Sequence, residues 1–177
     1  MRPDPAPELA VSQWFNTNGP LSLAQLSGSV VVIEAFQMLC PGCVSHGLPL
    51  AKAVHEHFSQ EQVAVIGLHS VFEHHDAMAP VSLQAFLHEY RIPFPVGVDK
   101  PGRGAMPETM AAYGMRGTPT LILIDRQGRR RAQYFGHVPD MRIGADIATL
   151  LAEPRHSPID APRERCDESR CEVDVES

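Results

Sequence analysis

Nowhere in the 177 residues does an apolar run approach the roughly 18–20 residues that a membrane-spanning helix requires. The opening residues, Met1-Arg2-Pro3-Asp4-Pro5-Ala6-Pro7-Glu8, lack the apolar segment of a secretory signal, so the sequence predicts a cytoplasmic protein, or an exported one if a signal has been trimmed from it. Basic residues are in deficit: 15 Lys and Arg against 21 Asp and Glu leave a net charge of -6, which argues against a nucleic-acid binder. No internal repeat is present, so repeat architectures are set aside. Cysteine is scarce, with four in all, placed as two close pairs, Cys40/Cys43 and Cys166/Cys171. A structural disulfide framework spreads its cysteines along the chain, whereas local pairs point to catalysis, redox sensing or metal binding. Zinc needs four ligands and no second Cys-x-x-Cys exists, so no metal is expected.

What is present suits one globular domain. Hydrophobic content of 44% and charged content of 20% are ordinary for a chain with a buried core. Residues 1–8 read as a Pro-rich lead-in and 9–152 as the domain. From residue 153 onward Pro154, Pro158 and Pro162 alternate with charges, which predicts a charged, extended tail over 153–177.

Val30 to Phe36 is an apolar run interrupted only by Glu34, and reads as a buried strand. Val44, Leu48, Ala51, Val54 and Phe58 follow at helical spacing, predicting a helix from Val44 to Phe58. Val63 to Leu68 is a second buried run, and the order strand, helix, strand predicts a parallel βαβ unit. Leu9 to Phe15 reads as an edge strand. After the loop Ser70 to Pro80, a helix is predicted over Val81 to Tyr90 with Leu83, Phe86, Leu87 and Tyr90 as its stripe. Pro95 to Asp99 is a short strand, and Pro107 to Tyr113 a further helix. Thr120 to Asp125 and Arg131 to Phe135 flank Arg126-Gln127-Gly128 as a hairpin. Met141 to Leu151 is the last helix. The class is α/β, with a mixed central sheet of four to five strands flanked by helices.

Cys40-Pro41-Gly42-Cys43 therefore sits where the first buried strand passes into a helix. The unpaired N–H groups and positive dipole end of a helix N-terminus favour a thiolate, which is the nucleophilic form of cysteine. Gly117-Thr118-Pro119-Thr120 immediately precedes another buried strand, and Glu34 stands six positions before Cys40. A lone Cys-x-x-Cys is weakly specific; these three features together are not. With them the sequence resembles the thioredoxin-like superfamily, and within it the TlpA-like and AhpC/TSA-type redoxins, over about residues 9–151. Tyr113 to Asp125 with Gly128 matches the pattern of that family around its cis-proline.

The resemblance implies a thioredoxin-like fold with an N-terminal extension and an insertion after the first βαβ unit. It also implies a thiol–disulfide oxidoreductase without a cofactor, acting on a disulfide-bearing protein or small thiol substrate and restored by an upstream thiol reductant. Cys40 would attack, Cys43 would resolve, and Glu34, desolvated on its strand, would accept a proton from Cys43 through a water. Thr118 and a cis Pro119 would face the cysteines and, with Leu39, Pro41 and Gly42, contact substrate. The sequence departs from the family pattern at Leu39, where an aromatic residue is usual, and at Phe36, where many relatives have tryptophan. The only tryptophan is Trp14. Met38 and Leu39 are then the candidates to replace that aromatic platform.

Other residues invite readings of their own. His69, His74, His75 and Asp76 form a possible metal cluster, for which a polar loop is the plainer account. His46, one turn beyond Cys43, is a candidate to influence the thiols, or simply part of a solvated helix face. Cys166 and Cys171 are a possible second redox pair, within reach of Cys40 and Cys43 on an extended tail. Two rivals remain at this level. One is a thiol peroxidase of the peroxiredoxin type, disfavoured because Ile33 and Gln37 occupy the proline and threonine positions. The other is a non-catalytic module binding a metal or protein partner.

Overall fold

A computed structural model describes residues 4–154. Cys166 and Cys171 lie outside the described residues. Six strands form one mixed sheet: β1 (Val11–Phe15), β2 (Val30–Phe36), β3 (Val63–His69), β4 (Val96–Asp99), β5 (Thr120–Ile124) and β6 (Arg130–Phe135). Their spatial order is β1-β4-β3-β2-β5-β6. β2 pairs in parallel with β3, and β3 with β4, while β1, β5 and β6 join antiparallel. The sheet exceeds the expected four to five strands because the edge strand β1 pairs with β4, with a break in register between Val11 and Gln13.

β2 is central, and all seven of its residues are buried. This explains its apolar run, since both faces of a central strand are covered. On one face Val30, Val32 and Phe36 pack with Leu48, Ala51 and Val54 of α1 (Leu48–His57) and Ile143 and Ile147 of α4 (Asp140–Ala152). Leu83 and Leu87 of α2 (Pro80–Glu89) complete that side. On the other face Val31, Ile33 and Ala35 meet Met110 of α3 (Glu108–Ala112), with Tyr113 and Met115. Each such large side chain contributes about 1.5–3 kcal/mol when fully buried. β6, at the opposite edge, alternates half-buried and exposed residues instead.

The lead-in is pinned by the hairpin and the first loop. Ala6 N–H donates to Gly128 O at 2.8 Å, and the Glu8 carboxylate accepts from Leu23 and Ala24 N–H, both at 3.0 Å. Asp99 at the end of β4 accepts from Thr109 and Met110 N–H at 2.9 and 3.0 Å and from Ser70 Oγ at 2.9 Å. It thereby satisfies the first donors of α3, a short helix with no cap of its own. Gly128, at φ +74°, turns the β5–β6 hairpin.

Two helices depart from the expected periodicity. The chain turns helical at Pro41, but Cys43–Gly47 is a π-helical turn, and regular α1 begins only at Leu48. Pro49 gives the reason. It has no N–H to donate to the Ser45 carbonyl, and its ring would clash there in a regular α-helix. The backbone widens instead, with Leu48 N–H donating to Cys43 O. α1 stops at His57 because Phe58 is already extended, and Leu50, outside the expected stripe, is buried. α2 ends at Glu89, so Tyr90 is 45% exposed and stacks on Phe86 at 4.2 Å rather than joining the core. Among the described residues, no helix is long and apolar enough to cross a membrane.

Candidate active site

After Phe36 the chain leaves the sheet through Gln37-Met38-Leu39 and enters the helix at Cys40-Pro41-Gly42-Cys43. Cys40 and Cys43 form a disulfide, with Cα atoms 5.3 Å apart. Cys43 is completely buried, while Cys40 is partly exposed, so only the first sulfur can be reached from outside. Cys43 N–H donates to Cys40 Sγ at 3.2 Å, and Val44 N–H donates to Cys40 O at 3.1 Å. The opening of the helix thus directs a donor at the outer sulfur, an interaction that strengthens when that sulfur is negative.

The opposite wall is the segment before β5. The Thr118–Pro119 peptide bond is cis. Thr118 O lies 3.5 Å from Cys40 Sγ, which carries no hydrogen in the disulfide; on reduction its S–H has this acceptor. Gly136 N–H donates to Pro119 O at 2.9 Å and Thr120 Oγ1 to Gly117 O at 2.7 Å, so both ends of the segment are held. The Pro119 ring faces Gly42 closely enough that a Cβ there would sit 3.4 Å from Pro119 Cδ.

The expected platform divides. Met38 turns inward to 8% exposure and joins the core, whereas Leu39 is 58% exposed beside Cys40. Pro41 is exposed and Gly42 half-buried, so Leu39, Pro41, Gly42, Thr118 and Pro119 lie around the outer sulfur. Trp14 is remote, on β1.

Glu34 is 1% exposed, and its Oε1 has no hydrogen-bond partner. Burial pushes its carboxyl up to about 8, because the charged form loses its hydration. It lies on the floor of a small cavity with about 10 Å³ available to a water's centre, room for about one molecule. Gly47 forms one wall, and Cys43 stands one helical turn before it. A Cβ at Gly47 would collide with Glu34 Oε1 and come within 3.1 Å of Pro119 Cβ. Exposed helix glycines gain about 0.5–1 kcal/mol on replacement by alanine, but overpacking a filled site costs about 1–3 kcal/mol. Gly47→Ala is therefore expected to lower the urea unfolding free energy by about 1–2 kcal/mol. A more stable variant would contradict this packing.

His46, exposed on the π-helical turn, places its ring against that of His137, with centroids 4.4 Å apart. His137 escaped the sequence reading. Its one signal is positional: Phe135 pairs with Thr120, so the residues just after β6 fall beside Pro119.

The other histidines do not gather. His69 is fully buried against Phe36, with ring centroids 5.3 Å apart, and burial lowers its pKa to about 4. His74, His75 and Asp76 are exposed on the following loop. Among the described residues, no group of three or more His, Cys, Asp or Glu is placed to hold a metal ion.

The family model described as "AhpC/TSA family" matches residues 3–132. The crystal structure of a thioredoxin-like superfamily protein is 65% identical, with a TM-score of 0.84, over 85% of this chain and 97% of the other. A thiol-disulfide isomerase from Corynebacterium glutamicum is 52% identical, with a TM-score of 0.82, over 85% and 97% of the two chains. The NHL repeat-containing protein 2 of Gallus gallus is 42% identical over 67 residues, 36% of this chain. This chain spans only 9% of that relative's length.

Proposed function

The chain belongs to the AhpC/TSA family, and from that premise we propose that it is a thiol–disulfide oxidoreductase in which Cys40 attacks and Cys43 resolves. The observation that carries this reading is the asymmetry of the pair. Cys40 is reachable, with a helix N–H directed at its sulfur, and its disulfide partner Cys43 is wholly buried. Similarity to a thiol-disulfide isomerase at 52% identity supports the same chemistry.

In the reducing direction the Cys40 thiolate attacks one sulfur of a substrate disulfide. The substrate S–S bond breaks, a Cys40–substrate bond forms, and the first substrate thiolate leaves and takes a proton. Cys43 then gives up its proton and attacks Cys40 Sγ. The mixed disulfide breaks, the Cys40–Cys43 bond forms, and the second substrate thiol departs, so two electrons have passed to the substrate. Glu34 receives the Cys43 proton through a water. Oxidation of a dithiol partner is the same sequence reversed.

Leu39, Pro41 and Gly42 on one side, and Thr118 and Pro119 on the other, bind the substrate segment that carries the disulfide. The partner is a disulfide-bearing protein or small thiol compound, and an upstream thiol reductant restores the pair. A cytoplasmic setting belongs to the same proposal and is tested by cell fractionation with thiol trapping.

The deciding experiment is a glutathione redox titration of the full chain, with mass spectrometry of the peptide containing both cysteines. One two-electron transition is expected, with a tenfold change in the equilibrium for each ~30 mV. Failure to form the Cys40–Cys43 disulfide at any poise would overturn the reading in favour of a binding module.

A further inference from the structure

We propose that His46 and His137 are the outer end of a proton path whose inner end is Glu34, and that this path sets the rate at which Cys43 resolves the mixed disulfide. The inference rests on the oxidoreductase reading and goes beyond it by assigning the residues that clear the proton.

The cavity beside Glu34 supplies the geometry. Three titratable side chains line it, Glu34, His46 and His137, and the remaining walls are Gly47, Leu50, Pro119, Leu121, Gly136 and Val138. Glu34 Oε1 is buried without a partner on its floor, and both histidines are exposed at its mouth. With room for one water and no other polar side chain in the walls, a proton leaving Glu34 by this cavity meets imidazole next.

Hydrogen bonding selects the tautomer that can take it. Ser45 Oγ lies 2.7 Å from Pro41 O and 2.7 Å from His46 Nδ1. A carbonyl only accepts, so the single hydroxyl hydrogen goes to Pro41 O. Nδ1 must then bring the hydrogen for the second bond, donating to Ser45 Oγ. Neutral His46 is thereby left with an unprotonated Nε2, the atom that can accept. The bond also ties the His46 ring to Pro41, between the two cysteines. His137 touches that ring, with centroids 4.4 Å apart and planes at 58°. The contact sets His137 beside the His46 ring at the mouth of the cavity, in line between it and solvent.

The step is a proton transfer and needs no oxidant or reductant. The Cys43 S–H bond breaks, and the Glu34 carboxylate becomes a carboxylic acid. Glu34 then returns to carboxylate as the proton moves through the water to His46 Nε2. From there it passes to His137 or bulk water. Without the pair, a neutral Glu34 persists and the next Cys43 proton has no acceptor.

Reduced full-length protein is mixed with glutathione disulfide, quenched with acid at intervals, and digested in acid. Mass spectrometry then follows the peptide carrying both cysteines. Appearance of the Cys40–glutathione species reports attack by Cys40, and its conversion to the Cys40–Cys43 disulfide reports attack by Cys43. The double variant His46→Gln/His137→Gln is expected to keep the first phase and the final equilibrium with glutathione. Its second phase should slow about tenfold at pH 7, less than the roughly 10²–10⁴-fold that a group exchanging a proton directly with the reacting atoms contributes. Added imidazole should restore it, which a packing defect would not allow. An unchanged second phase from pH 6 to 8, or a slowed one that imidazole fails to rescue, would overturn the path. A wild-type chain that forms the mixed disulfide but never closes Cys40–Cys43 would instead overturn the oxidoreductase reading, and the path with it.

Discussion

Cys43→Ser is expected to stop the reaction half-way, with the substrate held on Cys40 and turnover down about a thousandfold or more. The size follows from proximity. Cys43 attacks from within the same helical turn, and well-placed intramolecular groups act as though present at far above molar concentration. The replacement attacker is an external thiol, supplied at about millimolar levels, which accounts for three orders of magnitude before orientation is considered. The buried position tolerates the change, since serine is no larger than cysteine and the neighbouring wall of the helix stays in place. Cys40→Ser gives the opposite pattern, no turnover and no adduct, because Cys43 is fully buried and out of reach of substrate. Non-reducing electrophoresis and intact mass after incubation with a disulfide peptide distinguish the two. An adduct trapped on Cys43 in the Cys40→Ser chain, or undiminished turnover in Cys43→Ser, would reverse the assignment.

Why the reactive pair was legible in the sequence, and its proton path was not, follows from what each depends on. β2 and β5 are central strands buried on both faces, so their apolar runs have no alternative reading. The position of Cys40 follows from where β2 ends, and the Gly117-Thr118-Pro119-Thr120 segment from where β5 begins. Glu34 was visible because an acid is anomalous in a strand of that kind. The π-helical turn was hidden because periodicity runs straight through Pro49, whose missing N–H acts on the turn before it. Met38 and Leu39 face opposite ways because a turn follows neither strand nor helix alternation. His137 depends on tertiary register alone: it stands 91 positions from His46 in the chain and meets it only because β6 pairs with β5.

Glu34→Gln is expected to reverse its effect on stability with pH while slowing the resolving step. The sign follows from the raised carboxyl. Folded Glu34 releases its proton near 8, against a reference value of 4.5, so between these values the folded chain holds a proton that the unfolded chain has lost. The stability linked to that proton is fully present below about 4.5 and is lost as pH rises toward 8. Across the whole window the change is on the order of 4–5 kcal/mol. Glutamine escapes this loss, but it buries amide donors without partners, at a cost of about 1–3 kcal/mol. The oxidised variant is therefore expected to be less stable than the wild type at pH 5 and more stable at pH 8.5, as read by urea unfolding. His69, lowered to about 4 by burial, adds stability as pH rises from 4 toward 6.5, but both chains carry it and the difference cancels. In the kinetics, glutamine removes the acceptor for the Cys43 proton. The wild-type second phase should climb with pH toward a midpoint near 8, while the variant should lose that climb and run about a hundredfold slower at the plateau. A stability difference independent of pH would mean that Glu34 is charged throughout, and an unchanged second phase would remove it from the proton path.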